Sequence, residues 1–182
     1  MSMILPKSAM TEEDIKLQFI TPALTSKWPV GKITMETQIT DGKINLKGNF
    51  VFREKPKRAD YILYLNANNP IAIVEAKDNK HSISHGLQQA MAYAQMLDIP
   101  FAFSSNGDGF AEHDFLTGTE RQFGLDEFPT EDELVARYKA ESALTPKQQT
   151  IIDQPYYSSQ TTYSPRYYQR IAVNRTLDAI AR

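Results

Sequence analysis

Apolar and polar positions change period several times along the chain, and each change predicts an element. From Thr11 the pattern is helical. Thr11 can cap, Glu12, Glu13 and Asp14 complement the positive end of the helix dipole, and Ile15, Leu17, Phe19 and Ile20 supply apolar surface until Pro22 limits or bends the run. Residues 33–40 alternate as a strand, Asp41-Gly42 is a two-residue hairpin signal, and residues 43–52 are expected to return beside it. Residues 60–65 read as another strand and Asn66 to Pro70 as a turn-rich loop. Ile71 to Val74 is a short apolar run that gives way abruptly to Glu75-Ala76-Lys77, which suits a central strand buried on both faces.

Leu87, Ala90, Met91, Ala94 and Leu97 recur at helical spacing, so a helix is expected over 84–97 with Ser84 as its cap. Residues 100–105 read as a strand, Asn106 to Gly109 as a turn, and 110–116 as a returning strand. Thr130 with Glu133 forms a capping-box pattern that opens a helix to about residue 140. Composition then shifts to Gln, Thr, Ser, Tyr and Pro, and a last helical pattern runs over 166–181. The expected fold is α/β: a mixed central sheet with helices on both faces. Residues 1–10 read as a leader, 11–141 as the main domain, 142–165 as a linker and 166–182 as the start of a further unit.

At 182 residues and 41% hydrophobic content, a sizeable core is within reach. The absence of cysteine excludes disulfides and thiolate metal sites, and His81, His85 and His113 cannot by themselves complete a four-ligand zinc site. No apolar run approaches a membrane span and no secretory signal opens the chain, so a cytoplasmic protein without a membrane partner is expected. The net charge of −2 argues against gripping nucleic acid by bulk charge. Locally, however, Lys43, Lys47, Arg53, Lys55, Lys57 and Arg58 cluster with only Asp41 and Glu54 as acids among them. Two readings stay open: a solvated hairpin edge whose lysines discourage strand pairing, or a patch that contacts DNA phosphates.

The chemistry concentrates at Asp60 and Glu75-Ala76-Lys77. Side chains two apart on a strand share a face, so Glu75 and Lys77 point the same way, and pairing with the preceding strand would bring Asp60 to Glu75. Two carboxylates with waters and a substrate phosphate suit Mg²⁺, and the adjacent ammonium can orient a water and stabilise charge at phosphorus. The competing reading is an ordinary ion pair on an exposed strand end. Against it stands position, since both charges directly follow a run that should be buried. Gln89 and Tyr93, four residues apart, share one face of the next helix.

Asp60, Glu75-x-Lys77 and Gln89-x-x-x-Tyr93 together resemble the PD-(D/E)xK nuclease superfamily, in its branch with a Gln-x-x-x-Tyr helix. Over about residues 11–120 the chain further resembles the motor and nuclease subunits of type I restriction enzymes. The matching stretches are Thr11 to Asp14, Pro22-Ala23-Leu24, Asp41 to Ile44, Lys57 to Leu63, Ile71 to Lys77, Gly86 to Ala90, Ser105-Asn106-Gly107 and Phe115 to Gly118. Ala59 stands where that superfamily's name has proline, which is not a ligand. The resemblance implies a restriction-endonuclease-like fold and Mg²⁺-dependent, non-specific cleavage of double-stranded DNA after ATP-driven translocation. Asp60, Glu75 and Lys77 would be catalytic, with Gln89, Tyr93 and, on the opening helix, Glu12 in support. The implied partners are methyltransferase and specificity subunits. Arg166-Tyr167-Tyr168-Gln169 resembles the adenine-reading motif that precedes superfamily 2 motors, with Gln169 on the nucleotide. No phosphate-loop motif follows, so this chain is not expected to hydrolyse ATP itself. A stand-alone repair nuclease or resolvase, and a non-catalytic DNA-binding domain, are the alternatives.

Overall fold

The computed structural model describes residues 5–40, 44–47, 50–53, 55–67, 69–142, 145–152 and 165–181. Its strands are β1 (Ile33–Thr40), β2 (Ile44–Lys47), β3 (Phe50–Arg53), β4 (Lys57–Asn66), β5 (Asn69–Ala76), β6 (Phe101–Ser105), β7 (Gly109–Asp114) and β8 (Thr119–Gly124). Six of them form one mixed sheet in the order β1-β4-β5-β6-β7-β8. Only β5 and β6 pair in parallel, and the crossover that parallel pairing demands is helix α3 (Leu87–Leu97). The expected α/β architecture is the one observed.

Alternation along the strands divides the core into two layers. Tyr61, Leu63, Val74, Phe101 and Phe103 face Ile15, Ile20, Leu24 and Trp28 of the N-terminal helices, together with Phe128 and Leu134. Ile62, Ile73 and Ala102 face Ala90 and Ala94 of α3 on the other side. Strand β5 lies between the layers with Ile71 to Ala76 all buried, which is why it reads as an unbroken apolar run. The Trp28 indole donates to the Pro129 carbonyl at 2.9 Å, tying the N-terminal helices to the start of α4 (Glu131–Ser142).

The opening helix is capped as expected, with Thr11 Oγ1 accepting the Asp14 N–H while the Asp14 carboxylate accepts the Thr11 N–H. It does not stop at Pro22. α1 (Glu12–Ile15) widens into a π-helical turn over Lys16–Ile20 and continues as α2 (Thr21–Thr25), with Pro22 just after the widened turn.

Several expectations are corrected. The turn expected at Asp41-Gly42 lies outside the described residues, and among the described residues β1 does not pair with the segment that follows it. It pairs with β4, whereas β2 and β3 pair with each other, Ile44 opposite Arg53 and Lys47 opposite Phe50. The sequence holds a second hairpin dipeptide, Gly48-Asn49, between β2 and β3. α3 starts after Gly86 without a side-chain cap, so Ser84 does not cap it; its carbonyl accepts the Leu87 N–H instead. β8 escaped prediction because Thr119 to Gln122 are polar and exposed, as an edge strand allows. The expected leader includes Met10 in the core and Lys7 on the Gly107 carbonyl and Asp108. Within the expected linker, Pro146–Ile152 forms helix α5, and the chain closes with α6 (Tyr167–Ala181).

Candidate active site

Asp60 sits in β4 and Glu75 near the end of β5. The antiparallel register pairs Tyr61 with Val74, and one further step sets Asp60 opposite Glu75. Asp60 Oδ2 accepts the Ala76 N–H at 2.8 Å, which pins the carboxylate across the strand pair. Glu75 is only 1% exposed. Its Oε2 accepts from Gln89 Nε2 at 2.7 Å and lies 3.9 Å from Lys77 Nζ, while its Oε1 is buried and meets no donor. Burial first, and the neighbouring Asp60 charge second, push the Glu75 carboxyl up to about 8, against the pull of Lys77. An orphaned carboxylate oxygen in a buried setting is costly, and a cation would satisfy it.

The surrounding elements aim these groups. The Lys77 N–H extends the pairing of β5 with β6 by donating to the Ser105 carbonyl at 2.8 Å. Gly86 crosses directly behind the site. A Cβ there would lie 2.8 Å from Ser104 Oγ, 3.3 Å from Glu75 Cβ and 3.4 Å from Lys77 Cε, so this close approach demands glycine. One turn into α3, Gln89 Nε2 lies 3.3 Å from the Tyr93 hydroxyl, so Gln89 touches Glu75 directly and Tyr93 reaches it only through Gln89. Glu12 borders the same group: burial and then the Asp60 charge raise its carboxyl, with Lys77 and Lys16 opposing. Among the described residues no three acids or histidines converge as a complete metal cage. Two carboxylates nevertheless match Mg²⁺, which keeps several of its waters.

Sequence reasoning missed Lys16. It is buried, and its Nζ lies 2.7 Å from Asp60 Oδ1 and 2.7 Å from Glu36 Oε1, with Glu13 at 3.5 Å and Glu12 at 3.7 Å. Burial opposes its charge, but hydrogen bonds to Asp60 and Glu36 outweigh that and lift the ammonium above the ordinary lysine value. Lys16 stands four residues before buried Ile20, but the acids Glu12 and Glu13 beside it make it read as part of an ordinary surface ion pair. Glu36, opposite Asp60 across β1 and β4, holds a left-handed backbone with φ of 49° inside its strand.

The other predicted residues lie elsewhere. Lys43 is outside the described residues, and of Lys47 and Arg53 only the backbone is described. Lys55, Lys57 and Arg58 are exposed, and Lys57 Nζ stands 5.7 Å from the centre of the Tyr93 ring, which joins that end of the basic stretch to the site. Gln169 is exposed on α6, where its Oε1 accepts the Arg166 N–H at 2.8 Å and so caps its own helix. α6 is fastened to the end of α3 by Arg175, which donates to both Asp98 oxygens at 3.0 and 3.2 Å. A cavity of about 490 Å³ separates these elements, lined by Ile71, Leu97, Ile99, Phe115, Tyr138 and Ile171. It contains none of Asp60, Glu75 and Lys77.

Comparison with known proteins gives the family of the chain. The family described as type I restriction enzyme R protein N terminus matches residues 24–129, a stretch that includes Asp60, Glu75, Lys77, Gln89 and Tyr93. The chain is 39% identical over 180 residues to the type I restriction enzyme EcoAI endonuclease subunit of Escherichia coli, covering 96% of this chain and 22% of that protein. It is also similar to a solved fragment assigned as the HsdR subunit of a type I restriction enzyme from Vibrio vulnificus YJ016. The TM-score is 0.83 and the identity 36%, over 94% of this chain and 33% of that one. The chain thus spans about a fifth of the length of its curated relative. With the matched stretch covering more than half of its residues and carrying the acidic site, the chain belongs to the type I restriction enzyme R protein N-terminal family.

Proposed function

We propose that this chain is the DNA-cutting module of a type I restriction endonuclease subunit, hydrolysing phosphodiester bonds of double-stranded DNA with Mg²⁺ held by Asp60 and Glu75. The observation that carries the reading is the buried Glu75 Oε1, which lacks a donor, beside Asp60 and Lys77. Mg²⁺, when bound, supplies Lewis-acid polarisation of phosphoryl oxygen and a more acidic water. Asp60, fixed by the Ala76 N–H, and Glu75, fixed by Gln89, present their oxygens in a set direction. Lys77 orients the attacking water and offsets negative charge at phosphorus. Tyr93 at the rim, with Lys57 beside its ring and the exposed Arg58 next to it, would meet the DNA backbone.

The wider assignment rests on the family. Cutting is without sequence preference, target choice belongs to methyltransferase and specificity subunits, and ATP-driven translocation by the remainder of the subunit licenses cleavage in the cytoplasm. Gln169 then opens the ATP-binding motor. Among the described residues no helix is long and apolar enough to cross a membrane. The test is Asp60→Ala in the full-length subunit assembled with its partners. Cleavage should be lost at every Mg²⁺ concentration while ATP hydrolysis persists; cleavage that survives would leave only the non-catalytic, DNA-binding reading.

A further inference from the structure

Lys16 has no part in the reading above, yet it is the most thoroughly held cation among the described residues near the site. Its ammonium touches Asp60 Oδ1 and Glu36 Oε1 at 2.7 Å each and has Glu12 at 3.7 Å. Glu13 at 3.5 Å is 78% exposed and is dominated by solvent. The lysine starts the π-helical turn, a local widening that departs from regular helix geometry. Its partner Glu36 holds a left-handed backbone that non-glycine residues rarely adopt. Two local departures from regular geometry therefore converge on one ammonium that shares Asp60 with the catalytic group.

Nucleases that use two divalent ions place them about 4 Å apart, with a carboxylate shared between them. In such a site Asp60 would be the shared carboxylate; here Lys16 already holds its Oδ1, with Glu36 and, further off, Glu12 on the same ammonium. We infer that Lys16 is a built-in substitute for the second metal, so that the site takes a single divalent cation, between Asp60 and Glu75. The inference rests on the metal-dependent nuclease reading and deepens it. A second ion would have to displace a buried ammonium from its partners, and stripping a buried pair of one member is costly.

The experiment is a count of Mn²⁺ bound by the purified 182-residue chain, by calorimetry and by the electron paramagnetic resonance signal of free Mn²⁺. The wild-type chain should bind one ion. Lys16→Met should bind two, the second more weakly, because the Glu12, Glu36 and Asp60 carboxylates lose their shared ammonium. Two ions on the wild type would overturn the inference and leave the nuclease reading standing. No ion on the wild type would remove the nuclease reading itself. A folded Lys16→Met that binds one ion with unchanged affinity, or none, would also overturn the inference, since the lysine would then be a brace or a positioning residue. If Lys16→Met does not fold, Lys16→Gln, which keeps a donor toward Asp60 without the charge, carries the same expectation.

Discussion

Gln89 Nε2 donates to Glu75 Oε2 at 2.7 Å, and through that bond α3 sets the direction of a carboxylate on a neighbouring strand. Removing the donor leaves Oε2 with Lys77 Nζ at 3.9 Å, beyond hydrogen-bond range. Gln89→Ala should lower metal affinity and cleavage by about ten- to a hundredfold, the usual cost of losing a group that orients a metal ligand. Tyr93→Phe should cost less, because its hydroxyl is 3.3 Å from Gln89 and meets Glu75 only through it. Calorimetric titration with Mn²⁺, beside cleavage by the full-length subunit, checks both. Equal losses for the two variants would count against this hierarchy.

Metal uptake should be linked to pH through Glu75. Its carboxyl is raised to about 8, mainly by burial, so the metal-free folded chain holds a proton that the unfolded chain has released. The sign follows: this contribution favours folding fully below the ordinary glutamate range and is lost as pH rises through about 8. Metal-free thermal stability should therefore decline between these limits, and Glu75→Gln should flatten the decline. Because metal binds the carboxylate, affinity should rise about tenfold per pH unit below that value, one proton being released per ion. Stabilisation by Mg²⁺ that is the same at pH 6 and pH 8.5 would contradict this.

Gly86→Ala tests how tightly the loop after β5 closes behind the reacting groups. The added methyl meets Ser104 Oγ at 2.8 Å and presses on Glu75 and Lys77. Cleavage should fall by about a hundredfold through misplacement, even where the chain still folds. Circular dichroism melting run in parallel separates loss of geometry from loss of fold, and near wild-type cleavage would show that the backbone gives way easily.

The site was legible where chemistry and period coincide. Charges at Glu75 and Lys77 directly follow the apolar run Ile71 to Val74, a pattern that predicts charged groups held at the end of a buried strand, and Glu75 is buried there. The observed pairing of β4 with β5 then brings Asp60 to them. Lys16 was not legible as a site residue, because a lysine beside acidic Glu12 and Glu13 on a helix reads as an ordinary surface pair. Only the packing of that helix on β1 and β4 buries it. The hairpin went astray because Asp41-Gly42 and Gly48-Asn49 are both valid turn dipeptides, and local turn chemistry does not say which strand finds a partner in the main sheet.

The central claim is that Lys77 serves phosphodiester hydrolysis and not the use of ATP. The measurement is single-turnover DNA cleavage beside steady-state ATP hydrolysis for Lys77→Ala in the full-length subunit with its partners, with Gln169→Ala as the counterpart. The account predicts that Lys77→Ala slows cleavage by about a hundred- to a thousandfold, the cost of deleting one charge-stabilising contact, and leaves ATP hydrolysis unchanged. Gln169→Ala should weaken ATP use first. Cleavage by Lys77→Ala at near wild-type rate, or equal loss of both activities in a folded protein, would contradict it.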